Sequence, residues 1–126
     1  MKFQPDTLAG TNTISRFDGR QLWVGPALQP GSVLVPWVGA VEPWPPGSAA
    51  ELTAAHFERI VALRPEVVIY GSGPRLVFPP PALARVLFER RIGLETMDTA
   101  AACRTYNVLA SEGRSVVAAL LVAAAP

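Results

Sequence analysis

Three times between residues 53 and 122, a stretch with helically spaced apolar residues gives way to a short apolar strand. Few architectures accommodate that pattern. Alternating helices and strands predict an α/β layered sheet. The first helix is expected from a cap at Thr53 to about Leu63, with Phe57, Ile60 and Val61 on its apolar side, ended by Arg64-Pro65. "EVVIYGSG" then reads as a buried, β-branched strand closed by glycines. In "PPPALARVLFERRIG", Leu83, Val86 and Leu87 fall at helical spacing and Gly93 stops the helix. "LETMD" is a further strand, a third helix runs to Gly113, and "SVVAALLV" is the last strand.

Ahead of this region the pattern is β. Residues 12–17 read as a strand, Asp18-Gly19 as a hairpin turn, "QLWVG" as its partner, and "SVLVPWVG" as a third strand after a break at residues 26–31. These three are expected to form an antiparallel meander over about residues 11–39 at one edge of the sheet. "AVEPWPPGS" is too rich in proline for either regular element and reads as an ordered surface loop. No linker or internal repeat divides the chain, so residues 1–126 are expected to form one domain.

Half the residues are hydrophobic and 17% are charged, which favours a globular chain over a disordered one. A net charge of +1 supplies no basic field, and no recognition motif is present, so nucleic-acid binding is not expected. Lys2 is the sole lysine; with the abundant Ala, Pro and Gly, this arginine bias resembles a GC-rich bacterial genome. Cys103 is the one cysteine and His56 the one histidine, which argues against a disulfide, a structural zinc site or any other metal centre, and no cofactor is expected. "MKFQPDTLAG" lacks the apolar run of a secretory signal, and the apolar C-terminal stretch has roughly half the ~20 residues a membrane span needs. The expectation is a cytoplasmic protein.

Chemistry, if present, concentrates in "MDTAAACRTYNVLASEGR", residues 97–114. Ala102, Cys103, Tyr106, Leu109 and Ala110 share one helical face, the pattern of a helix lying on a sheet. Cys103 on that face reads as a small buried residue rather than a nucleophile. Asp98 or Thr99 is placed to cap the helix. Strand ends in open α/β sheets also line ligand sites, so Asp98, Thr99 and the "GSG" turn of Gly71, Ser72 and Gly73 are candidates for a shared rim. The turn is not a dinucleotide fingerprint, because Leu76 replaces a third glycine, and it carries no Walker lysine. Arg75 and Arg104 would bring positive charge suited to a small anion. Asn107 lies on the helix flank and needs partners if it is buried. Glu112 and Arg114, on either side of Gly113, are expected to pair across the corner.

The "GSG" after "EVVIY", together with residues 97–121, resembles a small single-domain family of uncharacterised bacterial and archaeal proteins. That family is related to mitochondrial respiratory complex I assembly factor three and to the adipogenesis-associated domain protein. The resemblance runs from the first hairpin to the last strand. It implies a three-layer fold, helices against a central mixed sheet with an additional N-terminal β meander, and no established reaction. The family's motif positions fall on Gly71, Gly73, Asp98, Thr99, Arg104, Thr105, Asn107, Glu112 and Arg114, with Ser72 where threonine is common.

Two functions fit. One is a non-enzymatic interaction or assembly module for another protein, with Trp37 and Trp44 as anchors unless they cover the sheet edge. The other is a small-molecule pocket, for an anion or an enzymatic substrate, at Gly71–Gly73 and Asp98–Thr99, with Asp98 as a base. No set of residues reads as a catalytic constellation. An edge strand or a tryptophan patch would also offer a route to a homo-oligomer.

Overall fold

The structure, a computed structural model, describes residues 10–123. Most of the N-terminal stretch read above for a signal, with Lys2, lies outside the described residues. In chain order the elements are β1 (Ile14–Phe17), β2 (Leu22–Val24), β3 (Ala27–Gln29), β4 (Val33–Pro36), β5 (Glu42–Pro43), α1 (Ala54–Val61), β6 (Val67–Gly71), α2 (Pro81–Glu89), β7 (Gly93–Met97), α3 (Thr99–Ser111) and β8 (Val116–Leu120). The three helix–strand units are where the spacing predicts them.

β4 through β8 form a five-stranded mixed sheet in the order β5-β4-β8-β6-β7. β6 is parallel to both β7 and β8, whereas β4 runs antiparallel to β8. Strand alternation sorts the side chains onto two faces. Val33, Val35, Val67, Ile69, Val116, Ala118 and Leu120 face α3 and the meander, where they meet Ala102, Cys103 and Tyr106. Leu34, Val68, Tyr70, Val117 and Ala119 face α1 and α2, where they meet Phe57, Ile60 and Leu87. The result is three layers, with helices on both faces of a mixed sheet and extra β structure beside α3.

The leading strands depart from expectation in two ways. Within the break expected at residues 26–31 lies β3, which follows directly on the two-residue turn Gly25-Pro26, with Gly25 at φ +54. A hairpin loop that short needs a residue tolerant of positive φ, which glycine supplies. The strand at 33–36 also leaves the meander: β1, β2 and β3 make their own antiparallel sheet, and β4 joins the central one. Its burial explains this, because Val33 through Pro36 are buried throughout, unlike the half-exposed strands of a surface meander.

Trp44 does not stand out as a surface anchor. It is 2% exposed, its indole Nε1 donates to the His56 carbonyl at 3.3 Å, and its ring meets Phe57 and Tyr70 edge-on. Trp37 is half-buried and donates from Nε1 to the Ala110 carbonyl at 3.2 Å. Both tryptophans serve the fold, as the sheet-covering alternative requires. His56 is used likewise: its Nδ1 accepts the Thr53 N–H at 2.9 Å, taking the place of Glu or Gln in a capping box.

Beside Trp44, the Tyr70 hydroxyl is buried without a hydrogen-bond partner among the described residues, and burial pushes its pKa up to about 12. An unpaired buried hydroxyl costs free energy that phenylalanine avoids at the same shape. Tyr70→Phe is therefore expected to leave stability unchanged or raise it by about 1 kcal/mol in a urea titration. A loss above that size would show that the hydroxyl has a partner.

Candidate functional site

β6, β7 and β8 end at one rim of the sheet, and the chain leaves β6 through α2 on one face but returns to β8 through α3 on the other. Such a reversal opens a crevice at the carboxyl ends of the strands. Here it is a cleft of about 500 Å³, walled by residues 72–74 after β6, 98–100 after β7 and 121–123 after β8, with Phe17 and residues 47–49 across from them.

The turn geometry depends on Gly71. A Cβ there would stand 3.0 Å from Leu120 Cδ2, from Thr99 Oγ1 and from Thr99 Cα, so only glycine lets α3 begin this close to β6. Thr99 then joins the strand ends: its N–H donates to the Gly73 carbonyl (2.9 Å), its Oγ1 donates to the Leu121 carbonyl (2.8 Å), and the same oxygen accepts the Gly73 N–H (2.9 Å). Ser72 Oγ donates to the Arg75 carbonyl at 2.7 Å and accepts the Val77 N–H at 2.9 Å. Asp98 accepts the Ala101 N–H at 2.9 Å and caps α3. Ser72 Oγ, Thr99 Oγ1 and Asp98 Oδ1 are thus engaged in holding the backbone.

The candidate residues separate into three groups. Ser72, Gly73, Asp98 and Thr99 line the cleft, and Gly71 lies beneath it. Arg104 and Asn107 line a shallower neighbouring groove of about 280 Å³ between β1 and α3. Arg75 is exposed on the loop after β6, and Thr105 is half-buried on α3; neither lines the cleft. Among the described residues Asp98 is the one ionisable side chain in the wall. The two arginines expected to receive an anion stand outside, and a carboxylate disfavours one.

Asn107 has a different task. Its Oδ1 accepts the Ile14 N–H at 2.9 Å and its Nδ2 donates to the Ile14 carbonyl at 2.8 Å. The amide imitates a neighbouring strand and fastens β1 to α3. One residue earlier on α3, in the same tie, the Tyr106 hydroxyl donates to the Asn12 carbonyl at 2.8 Å, and Asn12 Nδ2 donates to the carbonyls of Pro36 and Gly39, both at 2.8 Å. Nothing local in the sequence marks Asn12 or Tyr106 for this role, because their partners are distant in the chain.

The expected Glu112–Arg114 pair is replaced by a longer-range one. Arg114 bridges to Glu66 at 3.3 Å, and Glu66 also accepts the Ser115 N–H at 3.1 Å. Arg114 first, then the Ser115 N–H, hold the Glu66 carboxyl below its ordinary range. A depressed carboxylate contributes stability above its unfolded pKa and loses it on acidification; on this exposed surface the effect is small.

Cys103 is buried, and desolvation pushes its thiol up to about 12 despite the neighbouring Arg104. A thiol that is neutral and covered does not react. Native protein at pH 8 is expected to resist a thiol reagent that labels it promptly in denaturant; fast native labelling would contradict this environment. Among the described residues no three His, Cys, Asp or Glu side chains are grouped to hold a metal, and no helix is long and apolar enough to cross a membrane.

Fold and site together define a small three-layer α/β domain whose glycine turn and capped helix frame a cleft at the ends of parallel strands. The chain belongs to the family described as protein of unknown function (DUF498/DUF598), which it matches over residues 14–121. That is in keeping with the resemblance carried by Gly71–Gly73 and residues 97–121. It is 37% identical over 84 residues to bovine NADH dehydrogenase [ubiquinone] 1 alpha subcomplex assembly factor 3, a match covering 65% of this chain and 46% of that protein. The chain thus spans less than half the length of that relative. A crystal structure of a Bordetella parapertussis protein has 34% identity and a TM-score of 0.86, covering 91% of this chain and 98% of the other. A Bartonella henselae structure described as an outer membrane protein has 28% identity and a TM-score of 0.80, covering 90% and 97%.

Proposed function

We propose that this domain is a non-enzymatic protein-binding module that serves the assembly of other proteins. The observation that carries the reading is an uninterrupted exposed apolar run: Leu76, Val77 and Phe78 on the loop after β6 are 54%, 45% and 69% exposed. Scattered surface apolar residues need no explanation, but three in succession on one ordered loop supply an anchor for a partner. This replaces the tryptophans as the anchoring group. The commitment of Ser72, Asp98, Thr99 and Asn107 to backbone hydrogen bonds agrees with a structural role for the motif. The name of the bovine relative makes assembly of a larger complex the natural class of task. Cytoplasmic residence remains part of this proposal.

A photo-crosslinking amino acid at Val77 tests it. In cells of the source organism the expected product is one dominant adduct to a different protein. Crosslinks to nothing beyond solvent-quenched product would sink the reading.

The cleft supports a second reading, a small-molecule site. With Asp98 as the sole ionisable wall residue among the described residues and apolar Phe17, Leu121 and Val122 around it, it suits a neutral or cationic ligand with an apolar body.

A further inference from the structure

The two edges of the central sheet are treated differently. β5, at one edge, is two residues long, contains Pro43 and is followed by Pro45 and Pro46. Short length and proline blunt an edge against further pairing. β7, at the other edge, has five residues and no proline, and its outward N–H and C=O groups have no strand beyond them among the described residues. Between this edge and α2 lies an apolar groove of about 400 Å³ lined by Phe78, Pro81, Phe88, Leu94 and Thr96. Phe88, like Phe78, is largely exposed, at 56%.

We propose that β7 pairs antiparallel with β7 of a second copy across a two-fold axis, so that two five-stranded sheets continue as one. An open backbone ladder is satisfied by another extended backbone, and a strand is its own complement under two-fold symmetry. The charges of α2 fit the same operation. Arg85 and Glu89 are exposed one helical turn apart on the flank next to Phe88, and neither takes part in a salt bridge among the described residues. A two-fold sets α2 antiparallel to α2 of the second copy, so Arg85 meets Glu89 of the other copy twice. Phe88 and Leu94 then form the dry centre and the charges form the rim, the usual anatomy of an interface. Glu95, exposed on the opposite face of β7, sets the register. Centring the axis on it would oppose two carboxylates, whereas placing each Glu95 opposite Gly93 of the other copy separates them. The dimer goes beyond the partner-binding reading: Leu76 and Val77 do not line the groove and stay available to a different protein.

Sedimentation equilibrium from micromolar to near-millimolar concentration tests the proposal. Wild type is expected to dimerise reversibly. Phe88→Glu, at an exposed position that leaves the fold intact, is expected to raise the dissociation constant at least about tenfold. Arg85→Glu and Glu89→Arg are each expected to weaken the dimer, and the two together to restore it. A wild type that stays monomeric throughout, or a dimer indifferent to all of these changes, overturns the proposal. Neither outcome alters the crosslinking result at Val77, so the two readings fail separately.

Discussion

Asn107→Ala is expected to destabilise the chain by about 2–4 kcal/mol, because it leaves both polar groups of Ile14 without partners in a half-buried setting. At about 4 °C per kcal/mol for a domain of this size, the melting temperature should fall by roughly 8–16 °C. The loss is local in origin. The amide is the link between α3 and β1, and β1 carries β2 and β3 with it. Native-state hydrogen exchange should therefore accelerate first at the amides of Ile14 and Gly25, the latter bonded to the Thr13 carbonyl. Val108→Ala, one residue away but exposed, serves as a control with an expected change within about 0.5 kcal/mol. A small shift for Asn107→Ala, with Ile14 still protected, would show that the meander is held by packing alone.

Gly71→Ala is expected to cost about 1–3 kcal/mol, and Gly71→Val more, through overpacking. The atoms a Cβ would meet include Thr99 Cα, which is backbone and cannot rotate away. Relief requires moving the start of α3, and that stretches the three Thr99 bonds to Gly73 and Leu121. Gly31→Ala is the informative contrast: it meets nothing within 4 Å and has no positive φ, so it is expected to be nearly neutral. Equal tolerance at both positions, read from denaturant midpoints, would remove the close-approach explanation for Gly71.

Local signals account for what the sequence revealed. The helices declare themselves through spacing and stops: Ala102, Cys103, Tyr106 and Ala110 are buried on one face of α3, and Gly113 at φ +80 ends it. A cap at Asp98 or Thr99, which the structure assigns to Asp98, and the buried runs of β6 and β8 follow from residue type. Pairing does not. Whether residues 33–36 join the meander or the central sheet depends on which strand offers a covered edge, and β8 does so from more than eighty residues away. Arg114 finds Glu66 rather than nearby Glu112 for the same reason. At the site, the glycine turn and the capped helix start were legible each by itself; that they share a rim follows from the pairing of β6 with β7. The exclusion of Arg75 and Arg104 from it was not legible, because the direction of an exposed loop and of a helix flank is set by tertiary packing. The tryptophans misled as anchors because bulk and aromaticity mark a core residue as readily as an interface one.

On the proposed function, the exposed run that begins at Leu76 and Val77 anchors a different protein. The most direct measurement of this is quantitative affinity capture from the source cells with the wild-type chain and with the Leu76→Asp/Val77→Asp variant. Both side chains are about half exposed, so the variant should melt near the wild-type temperature. One protein is expected to be recovered with the wild type and depleted at least about tenfold with the variant, as for loss of an interface anchor. Equal recovery of that protein by both chains would contradict it.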